Sequence, residues 1–459
     1  MKNKYLKSCA ALVLCQSVLG LSLNSLAFAQ DDVDRAAGAG AISDWASDSM
    51  GVLVMASVIH DSPQDRIVVQ RSSDRGQSWI PLYEGKLGNL TDIHHLSLDL
   101  AHGYADPNID RKVFIAIAAT WPGSPGGPGL AFHGLLSGSM DQPWSKAKCE
   151  PLDGCLMQAP AFEPMHTSVA VLPFGGGSDY AVGVARTYPP FLPRNGIAMG
   201  LDSRMIRLSF VMNNGFPLGV EPTLAGPQGQ LEDWIHEHQG AGHPSLIADR
   251  QNETMIVAFH STEYRRGPVS QITVGSVGIA AHLQKGVSFK TRYRTGVQSG
   301  QTTSHRNPVL ACDKGLVAFT CLTGLPDPQD HSYRLTAYWG SVFNGSIKDS
   351  FIEVNDFLWM GRGFHAKVLS PADLILRGDI MHFSANCIVD TGTPTGGLGI
   401  LQFRSDMIYP SESAVWQVND HGVGPLAVPK VAVTPRAAAL EFEAVAYPSL
   451  VTGGVWVDQ

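Results

Sequence analysis

The run HPSLIADRQNETMIVAFHS (243–261) holds one unit of a pattern that recurs along the chain. An extended segment opens at a His, turns through polar residues and returns as a strongly apolar strand. The unit reappears as HLSLDL…KVFIAIAATW (95–121), HTSVAVLPFGGGSDYAVGVARTY (166–188), HRNPVLACDKGLVAFTCLT (305–323) and HAKVLSPADLILRGDIMHFSANC (365–387). A less complete copy is MGVLVMASVIH (50–60), and further strand-like runs follow each unit, such as DRIVVQRSSD (65–74), SRMIRLSFVM (203–212) and YRLTAYWGSVF (333–343). Four short strands repeated every ~50 residues are the signature of radially arranged blades. Six units are legible. The last run, VPKVAVTP…ALEFEAVA…GGVWVDQ, either closes the ring with residues 39–48 or forms a seventh unit. The expectation is an all-β chain, a single six- or seven-bladed β-propeller of four-stranded antiparallel blades.

A local motif sharpens this. Ser72-Ser73-Asp74-Arg75-Gly76-Gln77-Ser78-Trp79 matches S-x-D-x-G-x-T-W, with Ser78 in place of Thr, and falls between two strand-like runs. This is the Asp box, and with the repeat it makes the chain resemble the Asp-box (BNR-repeat, sialidase-like) propeller proteins. The resemblance implies a structural turn. Asp74 accepts backbone N–H groups across it, Gly76 supplies a positive φ, and Trp79 packs between blades.

The N-terminus reads as a secretory signal. Lys2, Lys4 and Lys7 precede an apolar stretch from Ala10 to Leu23, and Ala27-Phe28-Ala29 forms an A-x-A site before Gln30. Residues 1–29 are therefore expected to be the signal peptide and 30–459 the propeller domain of a secreted or periplasmic, monomeric protein. No run approaches the ~20 apolar residues that a membrane span needs. Beyond the signal lie Cys149, Cys155, Cys312, Cys321 and Cys387. The first two bracket a short loop that an exported protein can bridge, and Cys312 and Cys321, on neighbouring strands, can also pair. A net charge of −8 argues against nucleic acid or an anionic membrane as partner. Charged residues at 16 %, with 48 Gly and 29 Pro, suit many strands joined by tight turns.

In a propeller, the starts of innermost strands, the ends of second strands and the starts of third strands share one face. That places His95, His166, His243, His305 and His365 at one mouth. His60, Trp121, Arg186, Tyr188, His260 and Asn386 join them from second strands, and Arg66, Arg204, Arg265 and Arg266 from the loops into third strands. Asp233, His236, His238 and His243 form a second cluster whose His-x-His spacing suits a zinc site; a polar loop facing solvent or substrate is the other reading.

The Asp box first points to a sialidase, yet the run before it (ISDWASDSMGVLVMASVIHD, 42–61) contains no Arg-Ile-Pro and no arginine. Glutamates for a two-carboxylate glycosidase are scarce near the expected mouth. The His/Tyr/Arg set resembles that of the propeller-type polysaccharide lyases, notably the ulvan lyases. That resemblance implies β-elimination on a uronate polymer, with a structural zinc. His166 or His95 would be the base, Tyr188 the acid and Arg204 the clamp on the carboxylate. Trp121, Arg186, His260, His305 and Arg265 would bind substrate. Imidazole accepts a proton at neutral pH, phenol returns one to the leaving oxygen, and guanidinium pairs with carboxylate. A sialidase-like exo-glycosidase and a non-catalytic glycan- or protein-binding propeller are the alternatives.

Overall fold

The computed structural model describes residues 32–458 outside 37–41, 49–50, 62, 75, 77, 102–110, 123–128, 148, 153–164, 175–178, 189–204, 213–237, 264–269, 279–287, 296–303, 325–332, 342–345, 354–365, 369–370, 379, 390–396, 407–413, 419–429, 435–441 and 449–454. The signal peptide expected over 1–29 lies outside these residues.

All regular structure among the described residues is β, in seven antiparallel sheets. Apart from Asp32–Ala36 in the seventh, the sheets follow the chain in order, and their first strands, setting aside Asp32–Ala36 and the short Ala366–Val368 of the sixth, are Ser43–Ser47, Ile93–Ala101, Thr167–Phe174, His238–Asp249, His305–Asp313, Asp373–Arg377 and Lys430–Thr434. Each of these strands touches the first strand of the next sheet, and Lys430–Thr434 touches Ser43–Ser47 in turn. The third sheet has three described strands and the sixth has five, where four were expected in each.

Of the stretch 39–48, the described strand Ser43–Ser47 does not hydrogen-bond in a ladder with the C-terminal strands. Ser43–Ser47 instead starts the first sheet, while Asp32–Ala36 pairs antiparallel with Val455–Asp458. The sequence offers little warning of this, because DVDRA lacks the apolar alternation that marks the other strands.

The core lies between sheets, not within one. Val54, Ile67 and Val69 of the first sheet pack against Leu96, Ile115 and Ile117 of the second. Phe114 and Leu135 of the second then meet Val169, Tyr180 and Val184 of the third, and the pattern repeats onward. A strand flanked by sheets on both faces is apolar on both, which is why Lys112–Trp121 is buried at all eight positions between its two end residues. Burying each Val, Leu or Ile contributes ~1.5–3 kcal/mol, so these interfaces dominate the stability.

Where two first strands run side by side without a shared ladder, backbone N–H groups need other partners. Side chains from the preceding strand supply them. Asp44 Oδ2 accepts from Leu98 N at 2.8 Å, Ser97 Oγ from Val169 N at 3.2 Å, Ser168 Oγ from Leu246 N at 2.9 Å, and Ser245 Oγ from Leu310 N at 3.0 Å. These bonds make Leu98, Val169, Leu246 and Leu310 equivalent positions, and they put the four strands in one register.

The turn that the sequence likens to an Asp box joins Arg66–Ser72 to Ile80–Lys86. Asp74 Oδ1 accepts from Ser78 N at 2.9 Å and from Ser72 Oγ at 2.7 Å, Asp74 Oδ2 accepts from Ser78 Oγ, and Gly76 N donates to Ser72 Oγ at 2.7 Å. Gly76 has φ +88°, a conformation that glycine adopts without penalty, and Trp79 is half-buried. Burial pushes the Asp74 carboxyl up, but the hydrogen bonds from Ser78 and Ser72 prevail and hold it below the usual carboxylate range. Asp74→Ala is expected to destabilise the protein by about 1–2 kcal/mol in urea unfolding, through the donors it leaves unmet. Activity per folded molecule should not change. A variant as stable as the parent would remove the turn-stapling role.

Cys312 and Cys321 do not pair. Cys312 stands opposite Val317 on the adjacent strand, four residues before Cys321, and a bulge separates the two registers. Four residues of strand span ~13 Å, well beyond the reach of a disulfide. Both are free thiols. Burial pushes Cys321 up to about 12 and Cys312 higher still. Cys155 and the side chain of Cys387 lie outside the described residues.

Candidate active site

The register of the first strands decides which side chains meet. Counting back from the equivalent Leu98, Val169 and Leu246, the residue three positions earlier is His95, His166 or His243. Their rings touch in series. His95 and His166 have centroids 4.9 Å apart, and His166 and His243 are 3.7 Å apart with planes tilted by 39°. His260, from the second strand of the fourth sheet, extends the row with its centroid 5.0 Å from His243. Four imidazoles from three consecutive sheets thus line one end of the first strands. Each is half-buried, and His166 Nε2 is shielded from solvent.

Backbone contacts hold the row in place. His95 Nδ1 accepts from Thr167 N at 3.5 Å, and His260 Nδ1 accepts from Asn307 N at 3.5 Å. His166 is fixed through its main chain: its N–H donates to Thr187 Oγ1 at 2.8 Å, and its carbonyl accepts from Thr187 N at 3.0 Å. A Cβ on Gly242 would sit 3.0 Å from His260 Nε2, so the absence of a side chain there lets His260 close onto the row.

Behind the row, between the second and third sheets, lies a buried polar layer. His133, 1 % exposed, faces Arg186, His94 and His166. Burial first, then the neighbouring Arg186 guanidinium, lower its imidazole from 6.5 to about 3, so it is neutral at pH 7. Arg186 is completely buried and donates to Ser209 Oγ at 2.6 Å. His94 Nε2 contacts Thr120 Oγ1 at 2.8 Å.

The third sheet brings two expected positions, His166 and the backbone of Tyr188, to this end. Its first strand begins next to His166, its second ends at Tyr188, and Tyr188 stands opposite Met205, the residue after Arg204. Arg204 itself and the side chain of Tyr188 lie outside the described residues. The same holds for Arg265, Arg266, His365, Asp233, His236 and the side chain of His238. Of the expected zinc ligands only the His243 side chain is described, and its ring lies against His166 and His260. Among the described residues no three His, Cys, Asp or Glu side chains are placed to hold a metal ion.

No protein-family model matches the chain. A chitooligosaccharide deacetylase of Serratia marcescens is 32 % identical over 80 residues, a match that covers 17 % of this chain and 26 % of that enzyme. The chain thus spans about a quarter of that relative's length. Among solved structures, an α-L-arabinofuranosidase of Fusarium graminearum aligns over 94 % of this chain and 97 % of its own, at 10 % identity and TM-score 0.44. An ulvan lyase bound to a GlcA(1-4)Rha3S oligosaccharide aligns over 93 % and 94 %, at 10 % identity and TM-score 0.46. A microbial sialidase aligns over 87 % and 74 %, at 11 % identity and TM-score 0.42. These neighbours are all carbohydrate-active enzymes.

Two expected substrate contacts sit elsewhere. Arg186 is buried beneath the row and presents no surface to a ligand. His305 is also buried, with Nε2 3.0 Å from Tyr338 Oη. The position equivalent to His243 is Asn307, two residues beyond His305, because Leu310 and Leu246 occupy the same place in the stitch. The sequence carries this signal: HPSLIADR (243–250) aligns with NPVLACDK (307–314) at the prolines, the leucines and the aspartates. Trp121 closes the second strand of its sheet and packs on Phe132 with centroids 5.8 Å apart. His60 pairs with Asp65 at 3.1 Å, and Arg66 is held by Asp61 and Glu84. His133 and His94 were not expected. His94 adjoins His95 in sequence, whereas nothing local marks His133.

Proposed function

We propose that this protein is a carbohydrate-active enzyme that cleaves a uronate-containing polysaccharide by β-elimination at the histidine row, and that its seven sheets are the seven blades of a closed propeller. The observation that carries the reading is the contact of His95, His166, His243 and His260 at one end of the first strands. Proton-transfer groups are concentrated there, while two facing carboxylates are not seen among the described residues of the row.

In this reading Arg204 pairs with the uronate carboxylate and acidifies the C5 proton. His166, or His95 beside it, accepts that proton. The C5 electron pair forms the C4–C5 double bond, the C4–O bond breaks, and the Tyr188 hydroxyl protonates the departing oxygen. The imidazole passes its proton to water, and the phenol regains one.

The test is incubation with a panel of uronate polymers, following the ultraviolet absorbance of an unsaturated product. Absorbance that rises in step with new reducing ends supports elimination. New reducing ends without absorbance would mean hydrolysis, and neither signal on any glycan would leave a binding propeller.

A further inference from the structure

Resting on the reading of His166 as base, we propose that His243 is the positioning residue of the row: a left-handed backbone conformation, set immediately before a proline, drives its ring onto His166. Four observations converge on this residue. His243 has φ +49°, a left-handed region that non-glycine residues seldom adopt. Two successive bulges interrupt the pairing of its strand, one between Gln239 and Gly242 and one between Gly242 and Ser245 that contains His243, so the local backbone is re-aimed. Its ring makes the tightest contact of the series, 3.7 Å to His166, while also touching His260. The fourth observation lies one sheet further on.

Asn307 occupies the equivalent place, has φ +51°, precedes Pro308 and lies within the bulged span from Arg306 to Val309. The conformation therefore belongs to the repeat, not to histidine. Asn and His both tolerate the left-handed region better than most residues. What differs between the sheets is the side chain. Where Asn307 stands, the row of rings ends; where His243 stands, it continues from His166 to His260. His243 thus acts through His166, covering one side of its ring and holding the orientation in which it meets substrate.

Asn307 also supplies the control. His243→Asn keeps a residue suited to φ near +50° and removes only the ring, so the melting temperature should stay at the parent value. Misplacing a reacting group by ~1 Å costs about 10²-fold, so kcat on the uronate polymer should fall by about that factor with KM little changed. Carbethoxylation of His166 by diethyl pyrocarbonate, located by peptide mass spectrometry, should become several-fold faster as the covering ring is lost. If His243→Asn does not fold, His243→Gly carries the same measurement, since glycine adopts this φ freely. The reactivity of His166 is read without any substrate, so it decides the proposal even if no polymer proves to be cleaved. Unchanged His166 reactivity would overturn it whatever the activity; faster modification with a selective loss of kcat would support it.

Discussion

His166→Gln is expected to lower turnover on the cleaved polymer by about 10²–10⁴-fold while leaving the fold intact. The fold should survive because glutamine keeps the main-chain anchors of this position, to Thr187 Oγ1 and the Thr187 backbone. The loss should be large because the imidazole is the proton acceptor, and glutamine cannot take up a proton at neutral pH. Tyr188→Phe removes one hydroxyl and should cost a similar factor in kcat with binding retained. Arg204→Ala should raise KM and lower kcat together, since the guanidinium matters more as negative charge develops on the uronate. Steady-state kinetics on the three purified variants separates these outcomes. Rates near the parent value in all three would move the chemistry away from the third sheet.

Acid should unfold the protein through His133, and His133→Gln should flatten that dependence. In the unfolded chain this imidazole titrates near 6.5; in the folded protein burial and Arg186 delay protonation to about 3. Between those values the unfolded chain binds more protons, so stability falls as pH drops through the window and is unaffected above it. The displacement corresponds to at most about 4–5 kcal/mol. That is a large share of the 5–15 kcal/mol that holds a typical domain together. Glutamine preserves a polar side chain beneath the row without a titrating nitrogen. Urea unfolding at a series of pH values should therefore show parent and variant diverging in slope below pH 6.5. Parallel profiles would show that His133 takes up no proton on unfolding and that the buried layer is built differently.

The sequence alone determined the strand content, the repeat and the tight turn around Asp74, and it placed all four row histidines at one end of the strands. Each of these rests on short-range physics. Alternating or continuous apolar runs bounded by Gly, Pro and polar turns encode strands locally, and a repeated unit betrays itself by self-similarity. The hydrogen bonds of Asp74 and the φ of Gly76 are likewise complete within a few residues.

What only the tertiary structure decided is how neighbouring sheets are set against each other. Whether His305 or Asn307 matches His243 depends on the hydrogen bond from Leu310 N to Ser245 Oγ, a contact between residues 65 apart. His133 looks like any strand residue in LAFHGLLSGS, and it becomes part of the site only because the third sheet packs Arg186 against it. The pairing of Asp32–Ala36 with Val455–Asp458 is of the same kind, since neither strand carries a sign of its partner. Local propensity specifies an element, but burial, ring contact and charge environment arise from the packing of sheets that are distant in sequence. The residues where those three coincide are the ones on which the proposed chemistry depends.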